Sequence, residues 1–188
     1  MRQRAWRPRL VHDVLYGEPR SVLDLGCGTG PLTVAMEAAA SRVSLTGVDG
    51  DPRVLGRARA KARPGSSIDW VQAAADSLPF EDGSFDRVVS SLLFHHLVPD
   101  VKRAALAEVR RVLRPGGRLH IADWGRPRDS AMAAAFLALR LVDGMENTRD
   151  HATDAFAGML ADAGFGDVCL EDRLRTAWGS LELLSARE

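Results

Sequence analysis

The sequence has few cysteines and lysines, a single tyrosine and no net charge. Two cysteines, Cys27 and Cys169, are too few for a disulfide framework or a cysteine-built zinc site, so we expect a reducing, cytoplasmic location, although a bridge between the two stays open. Basic and acidic residues number 25 each, so no net field favours nucleic acid or an anionic membrane. The composition therefore predicts no nucleic-acid partner.

Long hydrophobic runs are also lacking. The longest apolar stretch, 131–139, is shorter than the roughly 18 residues that indicate a membrane span. The first twenty residues carry five arginines, but no apolar stretch follows, and we interpret 1–20 as an arm and a short helix rather than a secretory signal. The 188 residues fit one domain spanning 1–188.

What the sequence does have is an alternation of short β-branched or leucine-rich runs with longer segments of helical spacing. This pattern is typical of an α/β fold with a parallel sheet. Strands are predicted at 21–25, 43–48, 67–72, 85–90 and 118–123. Helices are predicted at 31–40, 51–62, 100–113, 131–143 and 153–163. Segments 168–171 and 181–186 are expected to close the sheet as a hairpin.

The segment Val22-Leu23-Asp24-Leu25-Gly26-Cys27-Gly28-Thr29-Gly30 ends the first strand and opens a helix. Its three glycines remove every Cβ where a ligand could approach the backbone, and the helix start supplies free N–H donors. The alternative, an ordinary tight turn, would need fewer glycines. Asp24 would repel a phosphate but attract an ammonium or sulfonium group. The loop therefore predicts a ligand that carries positive charge.

Asp49 ends the second predicted strand, 19 residues past Gly30. A carboxylate there can accept both hydrogen bonds from a ribose diol. Its alternative role, capping the next helix, can be filled by Asp51. The two features together predict a nucleoside with a cationic amino-acid end, and S-adenosylmethionine is such a ligand.

With these features the sequence resembles the class I S-adenosylmethionine-dependent methyltransferases, closely over about 22–119. The closest group contains the ubiquinone/menaquinone-biosynthesis and small-molecule methyltransferases. Further matching motifs are Leu78-Pro79-Phe80, Asp82-Gly83-Ser84-Phe85-Asp86, Val88-Val89-Ser90-Ser91 with His95-His96-Leu97, and Leu113-Arg114-Pro115-Gly116-Gly117-Arg118-Leu119. The resemblance implies a Rossmann-like doubly wound sheet of seven mostly parallel strands with a C-terminal antiparallel hairpin. It also implies S-adenosylmethionine as methyl donor and S-adenosylhomocysteine as product.

The resemblance assigns cofactor contacts by position. The methionine part would lie against Asp24 and the glycine loop, with Ser91 beside it, and Asp49 would take the ribose hydroxyls. Where the family commonly has Asp or Asn to contact adenine, this sequence has Ala74, so the adjoining backbone or Asp76 would serve instead. The expected cofactor residues are Asp24, Gly26, Cys27, Gly28, Thr29, Gly30, Asp49, Gly50, Ala74, Ala75, Asp76 and Ser91.

The acceptor side is less sharply predicted. His95 and His96 follow the fourth strand, at the sheet edge where α/β proteins bind ligands, and either is a candidate general base, with His96 favoured as pocket-lining. A packing role is an equal alternative. Adjacent histidines lack the spacing of a zinc helix, so no metal is predicted.

The other histidines are given lesser roles. His120 is expected in the core or on the sheet surface, and His12 and His151 are expected to face solvent or belong to a lid. The lid segment, 125–150, contains an apolar helix that could roof a pocket next to Trp124, belong to the core or build a homodimer face.

Several enzyme classes are excluded by missing residues. Adenine amino-group methylation uses an Asn/Asp-Pro-Pro-aromatic block where this chain has Ser90-Ser91-Leu92-Leu93, and the Pro-Cys nucleophile of cytosine C5 methylation is absent. A reductase Tyr-x-x-x-Lys is impossible because Tyr16 is the only tyrosine and no lysine lies four residues beyond it. We expect in-line methyl transfer to an O, N or C atom of a small, aromatic or lipid-like acceptor. A catalytically silent cofactor-binding module is the alternative.

Overall fold

The computed structural model describes residues 6–188, which form helices on both faces of one sheet. The helices are α1 (Arg7–Leu15), α2 (Pro31–Ala39), α3 (Pro52–Lys61), α4 (Pro99–Val112), α5 (Ser130–Asp143), α6 (Arg149–Ala152) and α7 (Ala155–Asp162). The strands are β1 (Ser21–Leu25), β2 (Ser44–Asp49), β3 (Asp69–Gln72), β4 (Phe85–Ser91), β5 (Leu113–Gly125), β6 (Gly166–Thr176) and β7 (Gly179–Arg187). Arg2 and Arg4 of the predicted arm lie outside the described residues.

The strands follow the order β3-β2-β1-β4-β5-β7-β6. Pairing is parallel from β3 through β5, while β7 runs antiparallel to both β5 and β6. The predicted fold class is thereby confirmed. The chain moves outward in opposite directions from β1 and β4, and ligands of open α/β sheets bind at the carboxyl ends of strands beside such a switch point.

Alternation along the strands creates two apolar layers. Leu23 and Leu25 point to one face, where they pack with α4 and α7, and Val22 points to the other, where it packs with α1 and α2. Both layers are dry, since these three side chains are fully buried. The carboxyl ends of the strands, where ligands of such sheets bind, are therefore supported by a buried apolar layer on each face.

Several element boundaries differ from the prediction. A 3-10 turn, Phe94–His96, was not predicted, and β5 begins at Leu113, without the separate turn expected at 114–117. The third strand starts two residues later than predicted, and the predicted helix 153–163 is preceded by the short α6. The hairpin strands are much longer than 168–171 and 181–186, because β7 pairs with β5 from Arg118 to Gly125 and with β6 from Gly166 to Thr176.

The structure also tests predictions about single residues. His151 is 1% exposed, so the expectation that it faces solvent is wrong: its Nδ1 donates to the Trp124 carbonyl at 2.7 Å. Asp86 has a structural role, since it accepts from the backbone N–H groups of Arg20 and Ser21. Cys27 and Cys169 are both free thiols, which settles the open question of a bridge.

Among residues 6–188, no helix has the length and apolar character needed to cross a membrane. The expected cytoplasmic location stays a prediction.

Candidate active site

The loop between β1 and α2 uses its three glycines for two different purposes. A Cβ at Gly26 would lie 2.8 Å from Leu93, and one at Gly30 would lie 2.5 Å from the Trp70 ring, so both positions are glycine because of close packing. Gly28 (φ 56°) has nothing within 4 Å of a Cβ position and borders open space. The prediction that all three make room for a ligand is therefore too broad, because only Gly28 does so directly.

Asp24 lies under this loop, 1% exposed, on β1. Its Oδ2 accepts a hydrogen bond from the Thr33 hydroxyl at 2.6 Å, while its Oδ1 is buried without a partner among the described atoms. Burial raises the pKa of Asp24 to about 6, although the Thr33 hydrogen bonds and the Arg7 charge work against the rise. A cation placed at Oδ1 would satisfy the oxygen and restore the ionised form.

Asp49, at the end of β2, ties the loop to the neighbouring strand. Its Oδ2 accepts from the Gly28 N–H at 2.9 Å and its Oδ1 from the Asp51 N–H at 3.0 Å. Helix capping is done by Asp51 itself, which accepts from the Arg53 N–H at 2.9 Å. Asp49 is therefore free of the capping role, and its remaining lone pairs face the same edge as Gly28.

The predicted adenine segment adjoins Asp49. The Ala73 N–H donates to the Asp49 carbonyl at 3.2 Å, and the following residues form a tight turn in which the Ser77 N–H donates to the Ala74 carbonyl. Ala74 and Asp76 are exposed, and Gly50 lies beside the Ala73 carbonyl. The structure thus brings this segment to the loop, while its contact with adenine stays a prediction.

Two more predicted cofactor residues, Cys27 and Thr29, belong to the loop, and a third, Ser91, ends β4. The Cys27 N–H donates to the Val48 carbonyl at 2.9 Å, and burial raises the pKa of its thiol well above the usual range, so the thiol stays neutral. The Thr29 hydroxyl accepts from Lys61 Nζ at 3.0 Å. Ser91 ends β4 opposite Ala122 of β5.

Beyond β4, His95 and Asp123 form a buried pair. His95 Nδ1 lies 2.6 Å from Asp123 Oδ1, and the side chains are 4% and 2% exposed. Burial works to raise the pKa of Asp123, but the His95 and His151 charges and its hydrogen bonds outweigh burial and hold that pKa well below its usual range. Asp123 is thus ionised and accepts only, so His95 Nδ1 carries the hydrogen and Nε2 is left to face the cavity.

His96 and Asp143 lie at the mouth of the same site. His96 Nδ1 is 3.5 Å from Asp143 Oδ1, and His95 Nε2 is 3.9 Å from Asp143 Oδ2. Burial and the His95 charge lower the pKa of His96, and the two aspartates oppose that shift. Of the two predicted histidines, His95 is the buried one and His96 is the exposed one.

A cavity of about 400 Å³ opens above these groups, between the 3-10 turn and α5. Its polar end is formed by His95, His96 and Asp143, and its other walls are apolar or aromatic: Leu92, Trp124, Ala138, Leu139, Val142 and Trp178. This composition is typical of a small-molecule site with few polar groups. Trp124 and three residues of the apolar helix α5, Ala138, Leu139 and Val142, border this cavity, while the role of the helix as a lid stays a prediction.

Sequence reasoning missed Asp123, Asp143 and Trp178. Asp123 had a usable signal, because it ends the strand predicted at 118–123, which pairs with β4, and the carboxyl ends of parallel neighbours meet at one edge. Asp143 and Trp178 had none, since they reach the cavity only through the packing of α5 and of the β6–β7 turn against it.

Comparison with known proteins decides which family builds such a site. A family model described as a methyltransferase domain matches residues 22–117, more than half of the chain. The chain belongs to the S-adenosylmethionine-dependent methyltransferases.

Relatives of this methyltransferase carry related names. It is 36% identical over 132 residues to a demethylmenaquinone methyltransferase of Thermus thermophilus, covering 70% of this chain and 59% of that protein. It is 32% identical over 183 residues to a ubiquinone/menaquinone biosynthesis C-methyltransferase of Desulfotalea psychrophila, covering 87% and 72%. The chain thus spans somewhat more than half the length of the first relative.

Solved structures confirm the fold of this methyltransferase. An N-methyltransferase from Bradyrhizobium japonicum, solved in complex with S-adenosylhomocysteine, superimposes with a TM-score of 0.73 at 20% identity over 99% of this chain and 87% of that one. The residues found here fit the family's cofactor. Asp24 Oδ1 has no hydrogen-bond partner among the described residues, Gly28 borders open space, and the Asp49 carboxylate lies beside Gly28.

Proposed function

We propose that this methyltransferase transfers the methyl group of S-adenosylmethionine to a small molecule held in the cavity beside His95, by in-line displacement. One observation carries the proposal: Asp24 Oδ1, buried without a partner among residues 6–188, and the open Gly28 position lie at the carboxyl edge of the sheet, where Leu92, just after β4, and Trp124 of β5 border a largely apolar cavity with a polar end. The cofactor supplies an electrophilic methyl group on a sulfonium. The chain's own residues would orient donor and acceptor and exclude water.

On the donor side, each predicted residue would have a separate part. Asp24 would accept from the ammonium group, and Asp49 would accept from the ribose hydroxyls. The backbone at Ala74 and Ala75, with Asp76, would border the adenine. Gly26, Cys27, Gly28, Thr29, Gly30, Gly50 and Ser91 would form the surrounding walls.

On the acceptor side, the cavity favours an apolar, aromatic or lipid-like molecule. No lysine or arginine is found among its lining residues, so a carboxylate or phosphate on the acceptor would lack a counter-charge. The printed names of the relatives, which concern ubiquinone and menaquinone biosynthesis, agree with a ring of the quinone type. Where the nucleophile must lose a proton, His95 Nε2, held in place by Asp123, or His96 is the base.

The segment 125–150 would cover the acceptor. α5 packs inward through Met132 and Phe136, while Leu141 and Val142 are exposed beside the cavity mouth. This outward apolar face fits a lid or the face of a homodimer. The single domain 1–188 and the cytoplasmic location complete the proposal.

The test starts with calorimetric titration of the protein with S-adenosylmethionine, S-adenosylhomocysteine and NAD. Binding of the first two, lost in Asp49→Ala, is the expected result. A labelled-methyl assay over quinols, phenols, amines and amino lipids then compares the wild type with His95→Ala and with the exposed-histidine control His12→Ala. His95→Ala should lower turnover and keep cofactor affinity. Binding without transfer to any acceptor would favour the catalytically silent module, and absence of binding would overturn the proposal.

A further inference from the structure

We propose that His95, His96 and Asp143 form a binding site for one divalent transition-metal ion of the zinc class. One ligand atom from each of the three lies within 4.8 Å of the others. Two ligands of a tetrahedral zinc ion are about 3.4 Å apart, given bond lengths of about 2.1 Å. The observed separations from Asp143, 3.5 Å to His96 Nδ1 and 3.9 Å to His95 Nε2, are close to that value.

The buried partner of His95 supports the assignment. Histidines that bind metals commonly donate their other ring N–H to a carboxylate, which fixes the ring and its tautomer. Asp123 does this at 2.6 Å from His95 Nδ1, and its Oδ1 also accepts from the Trp124 N–H at 2.7 Å, so the ring is held from behind. The other ring nitrogen, His95 Nε2, lies 3.9 Å from the Asp143 carboxylate.

The Asp143 carboxylate faces His95 Nε2 at 3.9 Å and His96 Nδ1 at 3.5 Å. His95 is 3% exposed and the Asp143 side chain 17%, so water screens the contact only in part. No lysine or arginine is found among the residues that line this cavity. A metal ion coordinated by both groups would satisfy them, and His96 would complete the set from the solvent side.

The donor set selects the class of ion. Two imidazole nitrogens and one carboxylate suit Zn²⁺, Co²⁺, Ni²⁺ or Fe²⁺, whereas Mg²⁺ and Ca²⁺ prefer all-oxygen sites. Three protein ligands leave at least one position open, on the side of the cavity. The sequence predicted no metal because adjacent histidines lack helical spacing. The third ligand comes from α5, 47 residues after His96, which spacing alone does not reveal.

The proposed ion bears on acceptor chemistry in a way that rests on the proposed function. Metal and proton compete for His95 Nε2, so an occupied site would leave His95 unable to act as a base. An acceptor oxygen at the open position would instead be acidified by the ion. Metal binding itself does not depend on the methyl-transfer proposal.

The test is titration of chelator-treated protein with Co²⁺, followed by its visible absorption bands, and with Zn²⁺ by calorimetry. The Cys169→Ser background removes the exposed thiol, which could bind zinc on its own. One ion per chain is expected. His96→Ala and Asp143→Asn should each weaken binding by about 10- to 100-fold or more, and Asp123→Asn by about 10- to 100-fold through the tautomer of His95.

His12→Ala, at an exposed histidine next to Asp13, is the matched control and should change nothing. S-adenosylhomocysteine affinity, measured on every variant, reports whether the fold and the donor site are intact. The proposal is overturned if binding is not stoichiometric, or if Asp143→Asn binds metal as tightly as the wild type and the His12→Ala control do. If the wild type does not bind S-adenosylhomocysteine, the proposed function is refuted, whereas the proposed metal site is unaffected.

Discussion

The protonation of Asp24 should control cofactor affinity. With a pKa raised to about 6 by burial, Asp24 is about nine-tenths ionised at pH 7 and about one-tenth ionised at pH 5. Since only the ionised carboxylate attracts an ammonium group strongly, S-adenosylhomocysteine affinity is expected to fall about tenfold from pH 7 to pH 5. Calorimetric titration across this range measures the fall.

Asp24→Asn separates binding from folding. The amide keeps the shape and can accept from Thr33, but it loses the charge-assisted contact, which is worth about 1.5–3 kcal/mol, or roughly 10- to 150-fold in affinity at pH 7. Stability should change in the opposite direction. Because burial raises the folded pKa from its ordinary 3.8 to about 6, ionisation of Asp24 costs stability as pH rises from 3.8 to about 6, and the variant should gain up to about 3 kcal/mol at pH 7.

Two matched variants sharpen the experiment. Thr33→Val removes the hydroxyl that lowers the Asp24 pKa, so the midpoint of the affinity profile should move to higher pH. Asp162→Asn, at an exposed carboxylate on α7, should leave the profile unchanged. An affinity that does not vary between pH 5 and 7, or an Asp24→Asn variant that binds as tightly as the wild type, would refute the reasoning.

Three further changes test other parts of the structure. Gly28→Ala should lower S-adenosylhomocysteine affinity at least tenfold in the same titration. Gly65→Ala, also at positive φ with open space around it, should lower the free energy of unfolding by about 1–2 kcal/mol, as Gly28→Ala does, but leave the affinity unchanged. Lys102→Met should lower the free energy of unfolding in urea by about 3 kcal/mol, because it leaves Asp150, 3.1 Å from the buried Nζ, without its partner; an unchanged value would contradict this role. Burial lowers the pKa of His120 to about 4, so the unfolded chain takes up the proton first and stability is lost as pH falls from 6.5 to 4. Relative to the wild type, His120→Leu should gain up to about 3 kcal/mol across that window in pH-dependent thermal unfolding. Parallel stability curves of the two proteins would count against this role.

The sheet could be predicted from sequence because its signals are local. Buried runs such as 21–25 indicate strands, and Arg114-Pro115-Gly116-Gly117 indicates the end of α4 near Val112, without knowledge of distant residues. The loop contacts of Gly26 and Gly30 could not be predicted, since Leu93 reaches Gly26 from the segment after β4 and Trp70 reaches Gly30 from β3.

The arrangement of the acceptor side was even harder to predict from sequence, because it depends on tertiary packing. His95 and His96 were found from their place after β4, but their different burial follows from the 3-10 turn that holds them. The burial of His151 follows from its contacts with Trp124 and Phe156, 27 residues before it and 5 after it. No periodicity in the sequence carries either relation.

Trp70 has a consequence for how this molecule can be observed. Its ring packs closely against both Gly30 and Gly47, so it touches the glycine loop directly. Trp124 and Trp178 border the acceptor cavity, and Trp6 is buried in the layer under α1 and α2. Single-tryptophan variants would therefore give this chain two intrinsic optical reporters, one that senses the loop and one that senses the cavity, without any attached dye.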